Sequence, residues 1–235
     1  PIDLVAVLDH SGSMDGDKLK MVKNSINFAI SQLKSDDRLS IVLFESEVRV
    51  LFPLKEMDGK NKQEAIDLVN SVKALNMTNL SGGLDKGFQQ LIEDQEQNSQ
   101  NKERNSVCSI LLFTDGLANV GLSKTEEIKA ELLKKREALK KPSTVFCFGY
   151  GSDHSTEMLR GLSDAGDGMY YYVEDEEKIP SAFGDCIGGL LSVAAQNLKL
   201  KLESHNGVII KKILGAPVSG RGLQSNNASD TEVNG

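Results

Sequence analysis

An unbroken apolar run at residues 4–8, which ends on a carboxylate, most constrains the fold of this chain. Five aliphatic residues without polar alternation predict a strand buried on both faces, as in a parallel sheet. Asp9 then lies at the carboxyl end of that strand, the edge where open α/β sheets bind ligands. With Ser11 and Ser13 it forms the pattern Asp-x-Ser-x-Ser, which places a carboxylate and two hydroxyls on one short turn. Such oxygens suit a hard divalent cation.

Two later segments offer further oxygens. Thr78 precedes a helix with an apolar face. A second predicted buried strand starts at Ser109, continues through the apolar residues 110–113, and is followed by Thr114 and Asp115. The first turn taken alone has a simpler interpretation, because Asp9 could cap the first helix together with the two serines. The presence of Thr78 and Asp115 favours a cation site over that alternative.

Three pieces of the sequence resemble the metal-ion-dependent adhesion site of von Willebrand factor type A domains: Asp9-x-Ser11-x-Ser13, Thr78 in a Thr-Asn-Leu-x-x-Gly-Leu setting, and Thr114-Asp115-Gly116. Any one piece is weak evidence, whereas three in the family's order and separation, over residues 4 to about 190, are strong. The resemblance implies a metal site formed by five residues: Asp9, Ser11, Ser13, Thr78 and Asp115. It further implies that the three hydroxyls coordinate directly and that the carboxylates act through water or directly.

The resemblance also implies a Rossmann-like, doubly wound α/β fold with a mostly parallel six-stranded sheet and one antiparallel edge strand. The alternation of apolar strands with amphipathic helices along the chain agrees with this fold. The strand at 47–54 follows the strand at 38–45 after about two residues, which is too short for a crossover. It is therefore predicted to be the antiparallel edge strand.

We predict a type A domain at residues 1–196, whose last helix runs from about 175 to 196. Residues 197–214 alternate with period two and read as a β-hairpin or as the start of a truncated β-rich domain. Residues 215–235 are rich in Gly, Ser and Asn and are predicted to form a disordered tail. Because a strand begins almost at Pro1, we expect the chain to be a fragment.

A cation held mainly by neutral hydroxyls and water keeps much of its charge and attracts an outside anion. We therefore predict Mg²⁺, with Mn²⁺ or Ca²⁺ possible, and a protein partner that offers a Glu or Asp carboxylate. Two other functions stay open: an intracellular scaffold with a structural or unused metal site, and a metal-assisted phosphoester hydrolase. Against the hydrolase, Ser11 stands where Asp-based phosphatases carry a second Asp, and neither a P-loop nor a G-x-S-x-G motif is present. We therefore expect that this protein is not an enzyme.

Charge and cysteine content limit the partners and the compartment. The 27 basic and 34 acidic residues give a net charge of −7 without a basic stripe, which argues against nucleic acid and anionic membranes. No apolar run reaches the ~20 residues of a membrane span. Three cysteines in apolar contexts favour buried reduced thiols, and glycans at Asn76 or Asn79 would block the predicted site. We therefore expect a cytoplasmic location, while the oligomeric state stays open.

Overall fold

The computed structural model describes residues 1–75, 77–97, 105, 107–139 and 141–192. The strands are β1 Ile2–Asp9, β2 Arg38–Phe44, β3 Val48–Glu56, β4 Val107–Thr114, β5 Ser143–Tyr150 and β6 Tyr170–Val173. The α-helices are α1 Asp17–Gln32, α2 Gly59–Ser71, α3 Leu80–Gln97, α4 Thr125–Ala138, α5 Thr156–Ala165 and α6 Ile179–Leu191. Short 3₁₀ turns cover Gly12–Met14 and Glu176–Lys178.

The strands form one sheet in the order β3-β2-β1-β4-β5-β6. Every neighbouring pair is parallel except β2 and β3, which are antiparallel. The predicted doubly wound six-stranded sheet with one antiparallel edge strand is therefore confirmed. The chain winds outward from β1 to β3 and then returns to β4 on the other side of β1. The carboxyl ends of β1 and β4 thus lie side by side, with Leu8 opposite Phe113, at the switch point where such sheets bind ligands.

Helices cover both faces of this sheet. Leu4, Ala6 and Leu8 of β1 pack into one core with α1, α2 and α6. Val5 and Val7 pack into the opposite core with α3, α4 and α5. The complete burial of β1 on both faces explains why its sequence shows no polar alternation.

Two glycines let the backbone of α3 approach the sheet closely. A Cβ atom at Gly83 would lie 2.5 Å from Cδ1 of Phe44, and one at Gly87 would lie 2.7 Å from Cγ2 of Val7. A larger residue at either position would push the helix outward. The close packing brings the loop that precedes α3, which carries Thr78, to the carboxyl edge of the sheet.

The last helix differs from the prediction of a single helix over 175–196. The side chain of Asp175 accepts a hydrogen bond from the Lys178 N–H and caps a 3₁₀ turn, and α6 begins only at Ile179, with Pro180 in its first turn. Asp175, Glu176 and Glu177 thus belong to a capped turn before the helix, and Glu174 precedes that turn. Residues 193–196, the predicted hairpin at 197–214 and the predicted tail at 215–235 lie outside the described residues.

Helix α3 extends to Gln97, and helix α4 ends at Ala138. Cys108, Cys147 and Cys186 are buried free thiols, as predicted. Across the described ranges, no helix is both long and apolar enough to cross a membrane.

Candidate metal centre

Asp9, the last residue of β1, is completely buried. Its Oδ1 accepts a hydrogen bond from the Ser11 N–H at 2.8 Å, and its Oδ2 accepts one from the Thr114 hydroxyl at 2.5 Å. The hydroxyls of Ser11 and Ser13 lie 3.1 Å apart. Helix α1 begins after Gly16 and has no side-chain cap, so the alternative that Asp9 caps this helix is wrong. The carboxylate instead joins the first turn to β4.

Asp115 follows β4 directly and is also completely buried. Its Oδ1 accepts a hydrogen bond from the Leu117 N–H at 3.3 Å, and its backbone carbonyl accepts one from the Ser155 N–H at 2.8 Å. Gly116 has a φ of 73°, a left-handed conformation that glycine adopts without strain and that turns the chain sharply after the carboxylate. The turn fixes Asp115 beside Asp9, at the end of the neighbouring strand.

The loop that carries Thr78 is hydrogen-bonded to both of these turns. The Thr78 carbonyl accepts hydrogen bonds from the N–H groups of Asn119 and Val120, at 3.0 and 3.1 Å, and its own N–H donates to Oδ1 of Asn119 at 2.8 Å. The Leu75 N–H donates to the His10 carbonyl at 2.8 Å. Thr78 itself is only 2% exposed. All three segments predicted to supply ligands are therefore tied together at one edge of the sheet.

The degree of connection differs among the five predicted ligands. Asp9, Ser11 and Ser13 are linked directly by hydrogen bonds, and the negative charge of Asp115 acts on Asp9. Thr78 joins the group through its backbone, which is bonded to the loop after Asp115. The structure thus brings the three segments that carry these residues to one edge of the sheet, while the coordination of a metal by the five residues stays a prediction.

The electrostatics of Asp9 distinguish it from an ordinary buried carboxylate. Burial raises the pKa of Asp9 to about 6, and the nearby charge of Asp115 adds to the effect, although hydrogen bonds from Ser11 and Thr114 oppose it. Within the described part of the chain, the groups bonded to Asp9 are backbone N–H and hydroxyl groups of Ser11 and Thr114, none of which carries a charge. An added cation at this place would stabilise the ionised form.

Lys18, on the first turn of α1, is a site residue that the sequence analysis missed. Its Nζ lies 3.1 Å from Oδ2 of Asp115 and 2.8 Å from Oδ1 of Asp153. Burial acts to lower the pKa of Lys18, but its bonds to Asp153 and Asp115 outweigh burial and raise that pKa, so the side chain is charged. Nothing in its spacing separates it from Lys20 and the other lysines of α1.

Exposed apolar side chains lie on two of the loops that meet at the centre. Leu75 and Met77 are each 48% exposed, Leu117 is 42% exposed and Leu122 is 37% exposed. The two loops that carry them are joined by the hydrogen bonds of Thr78. We call these four residues the apolar rim. Loops lack the periodicity by which a sequence shows a buried face, so the exposure of the rim could be found only in the structure.

The donor set fits a hard divalent cation. Two carboxylates and three hydroxyls provide only oxygen, which suits Mg²⁺, Mn²⁺ or Ca²⁺. The two negative charges of Asp9 and Asp115 face the single positive charge of Lys18, which leaves room for further positive charge. Across the described ranges, no group of three or more His, Cys, Asp or Glu side chains could hold a metal, so a site at this edge depends on the hydroxyls.

A doubly wound, mostly parallel sheet covered by helices on both faces defines a Rossmann-like α/β domain. Residues 3–185 match the family described as von Willebrand factor type A domain, and the chain therefore belongs to that family. The match covers more than half of the chain.

Relatives in several kingdoms share this domain. The chain is 34% identical over 211 residues to "E3 ubiquitin-protein ligase WAV3" of Arabidopsis thaliana, a match that covers 88% of this chain and 25% of the relative. Across several curated relatives, the chain spans only 18 to 45% of their length. The activities of those longer proteins therefore do not carry over to this chain.

Two solved structures show the same fold at low sequence identity. The structure of von Willebrand factor type A from Catenulispora acidiphila superposes with a TM-score of 0.62 at 21% identity, and the match covers 78% of this chain and 41% of that one. Proximal thread matrix protein 1 from the mussel byssus, in a form with a zinc-occupied MIDAS motif, gives a TM-score of 0.54 at 16% identity, with 79% and 44% covered.

Proposed function

We propose that this domain is a metal-dependent protein-binding module, in which Asp9, Ser11, Ser13, Thr78 and Asp115 hold a divalent cation. The observation that carries the proposal is the convergence of three hydrogen-bonded loops on two buried carboxylates at the switch point of the sheet. The zinc-occupied motif of the mussel protein supports it, because that protein has the same fold. Mg²⁺ is the proposed cation, with Mn²⁺ or Ca²⁺ as substitutes.

The charge of the centre favours an acidic partner. A divalent cation and Lys18 together bring three positive charges to two buried negative charges, and the remaining ligands are neutral hydroxyls. When bound, the cation would therefore attract an anionic oxygen, and a Glu or Asp side chain of another protein supplies one. Nucleic acid is not the proposed partner, because the chain carries a net charge of −7.

The apolar rim favours protein binding over an unused metal site. Leu75, Met77, Leu117 and Leu122 expose between 37% and 48% of their surface on loops around the centre. Exposed apolar side chains gathered around a polar site are typical of interaction surfaces. A scaffold with a vestigial metal would gain nothing from exposing them there.

We also propose that the domain is not an enzyme. In the described part of the chain, the hydroxyls of Ser11 and Ser13 are bonded to each other, and neither is bonded to a histidine that could activate it. The neighbouring His10 is buried, and its Nδ1 lies 3.0 Å from the Lys73 carbonyl oxygen. The buried free thiols support a reducing, cytoplasmic location as part of the same proposal.

Thermal unfolding with and without metal tests the site. We expect millimolar Mg²⁺ or Mn²⁺ to raise the melting temperature of the wild-type domain by several degrees and EDTA to reverse the rise. The shift should be absent in Asp115→Asn and unchanged in Asp67→Asn, which alters an exposed carboxylate on α2. The metal concentration is raised in tenfold steps to about 10 mM. A melting temperature of the wild-type domain that stays constant over this range would refute the metal site.

Peptide selection tests the partner class. A random peptide library is panned on the immobilised domain in Mg²⁺, with parallel panning in EDTA and on Asp115→Asn. We expect Asp or Glu to be enriched at one position only in the metal-loaded wild type. Enrichment that is equal in all three arms would show that the domain binds peptides without the metal.

A further inference from the structure

Lys18 already provides a positive charge to a carboxylate that we propose as a metal ligand. Its Nζ lies 3.1 Å from Oδ2 of Asp115, and the lysine side chain is 17% exposed whereas Asp115 is completely buried. The other oxygen of Asp115 is bonded to the Leu117 N–H. Both oxygens of Asp115 therefore have a partner within the protein.

The position of Lys18 is shaped by its surroundings. A Cβ atom at Gly151 would collide with Cε of Lys18, so a larger residue there would displace the lysine side chain, and the φ of 80° also favours glycine at this position. Asp153, which is 60% exposed, provides a second carboxylate 2.8 Å from the same Nζ. Lys18 can thus release Asp115 and still keep a charged partner.

Another lysine of the same helix shows what an ordinary surface ion pair looks like here. Lys20 bonds to Glu176 at 2.7 Å, and both side chains are about half exposed or more, at 66% and 48%. Water screens such a pair strongly, and neither group touches the centre. The contrast indicates that Lys18 acts on the centre and is not merely a surface charge.

We propose that Lys18 competes with the metal for Asp115 and, once the metal is bound, raises the affinity of the centre for an outside carboxylate. The first effect follows because like charges repel, so the ammonium weakens cation binding. The second follows because the same ammonium attracts an anion that approaches the metal. Lys18 therefore lowers the affinity of the centre for the metal and raises the affinity of the metal-loaded centre for a carboxylate. This inference rests on the proposed metal-dependent binding function.

The test compares Lys18→Gln with Lys20→Gln, which removes the same charge two residues away. Mn²⁺ binding to each purified domain is measured by isothermal titration calorimetry at one ionic strength. We expect Lys18→Gln to bind Mn²⁺ roughly tenfold more tightly than the wild type, the factor given by repulsion between a single and a double charge across about 6 to 7 Å of water. Lys20→Gln should stay within about twofold of the wild type.

A second variant confirms the direction without removing the lysine. Asp153→Asn removes the alternative partner, so Lys18 should remain on Asp115 and Mn²⁺ affinity should fall. Circular dichroism of each metal-free variant verifies that it is folded. Unchanged Mn²⁺ affinity in folded Lys18→Gln, or tighter binding in Asp153→Asn, would overturn the competition.

The carboxylate arm uses acetate as the probe. Acetate that displaces water from bound Mn²⁺ lowers the water-proton relaxation enhancement, which gives its affinity for the loaded centre. We expect at least threefold weaker acetate binding in Lys18→Gln, opposite in sign to the metal effect. Equal or tighter acetate binding would refute the second half of the inference.

The results also separate this inference from the proposed function. Mn²⁺ binding by the wild type without a Lys18 effect would retain the function and reject the inference. A wild type that binds no Mn²⁺, beside a Lys18→Gln variant that does, would support the inference and show that the natural centre is closed to metal. Failure of both proteins to bind would reject both.

Discussion

The two ends of β1 each carry a completely buried aspartate, but the two aspartates differ in the charge of their hydrogen-bond partners. At the amino end, Asp3 accepts hydrogen bonds from Nε and Nη2 of Arg38, both at 2.8 Å, from Nζ of Lys141 at 2.9 Å and from Nδ2 of Asn105 at 2.7 Å. At the carboxyl end, Asp9 is bonded to a backbone N–H and a hydroxyl. Among the described residues, Asp3 is bonded to two cationic side chains, whereas the groups bonded to Asp9 are uncharged.

The pKa values follow this difference. Burial acts to raise the pKa of Asp3, but Arg38 and Lys141 outweigh it and hold that pKa below its ordinary value. For Asp9, burial raises the pKa to about 6. A buried carboxylate with cations of its own stabilises the fold, whereas one without them is available to an external cation. The comparison therefore separates a structural network from a centre suited to function.

The largest expected effect is on the structural network. Arg38→Met would leave Asp3 buried with fewer positive partners, and we expect the free energy of unfolding to fall by about 3 to 5 kcal/mol. Urea unfolding at pH 7 measures the loss. The matched control is Lys55→Met, because the 3.2 Å pair of Lys55 with Glu64 is 37% and 42% exposed. That control should lose less than about 1 kcal/mol, and equal losses would show that burial of the Arg38 pair has no special weight.

Replacing the aspartate by asparagine at the two ends of β1 should change the free energy of unfolding in opposite directions. Asp3→Asn removes a compensated charge, and we expect a loss of about 3 kcal/mol. Asp9→Asn removes an uncompensated one, so the metal-free domain should gain about 1 to 3 kcal/mol at pH 7. The same variant should lose its Mn²⁺-induced shift in melting temperature. Destabilisation by both substitutions in EDTA would contradict the comparison.

The pH dependence sharpens the contrast for Asp3. Because its folded pKa is depressed, the stability that its ionised form contributes is present above the unfolded pKa of about 4 and is lost as pH falls through the folded pKa. The difference in unfolding free energy between wild type and Asp3→Asn should be constant from pH 5 to 8. Below pH 4, this difference in unfolding free energy should decrease by about 1 kcal/mol for each pH unit. A difference that increases as the pH falls would show that the folded-state pKa of Asp3 is not depressed.

The smallest effect on stability is expected at the apolar rim. Leu75→Ser and Leu117→Ser change side chains that are 48% and 42% exposed, so the unfolding free energy should change by less than about 0.5 kcal/mol. Binding of a selected acidic peptide should nevertheless weaken at least threefold. Leu133→Ser on α4, where the side chain is 44% exposed, is the control and should leave binding unchanged. Equal binding by all three variants would remove the rim from the interface.

Much of the fold was predictable because it depends on periodicity. The apolar runs of β1 and β4 indicate strands buried on both faces, and the short link after residue 45 identifies β3 as antiparallel. The start of α6 was predicted wrongly, because a capped 3₁₀ turn and a helix start both favour acidic residues. Local propensity does not distinguish the two.

The candidate site divides in the same way. Asp9, Ser11, Ser13, Thr78 and Asp115 could be proposed from the sequence, because their motifs resemble those of the type A family and lie at predicted strand and helix ends. Lys18 could not, because its contact with Asp115 joins residues 97 positions apart and depends on the space left by Gly151. Exposure of the apolar rim likewise depends on how two loops pack.

The sequence by itself determined the order of strands and helices and the type of oxygen at each strand end, since both are local properties of the chain. The tertiary structure alone decided which of the two buried aspartates of β1 receives cations from the protein. That choice depends on side chains that arrive from distant elements: Arg38 and Lys141 lie at one end, and the groups that the structure describes at the other end are uncharged. The energy of a buried charge is set by everything within a few ångströms of it, and only the folded chain determines what those neighbours are.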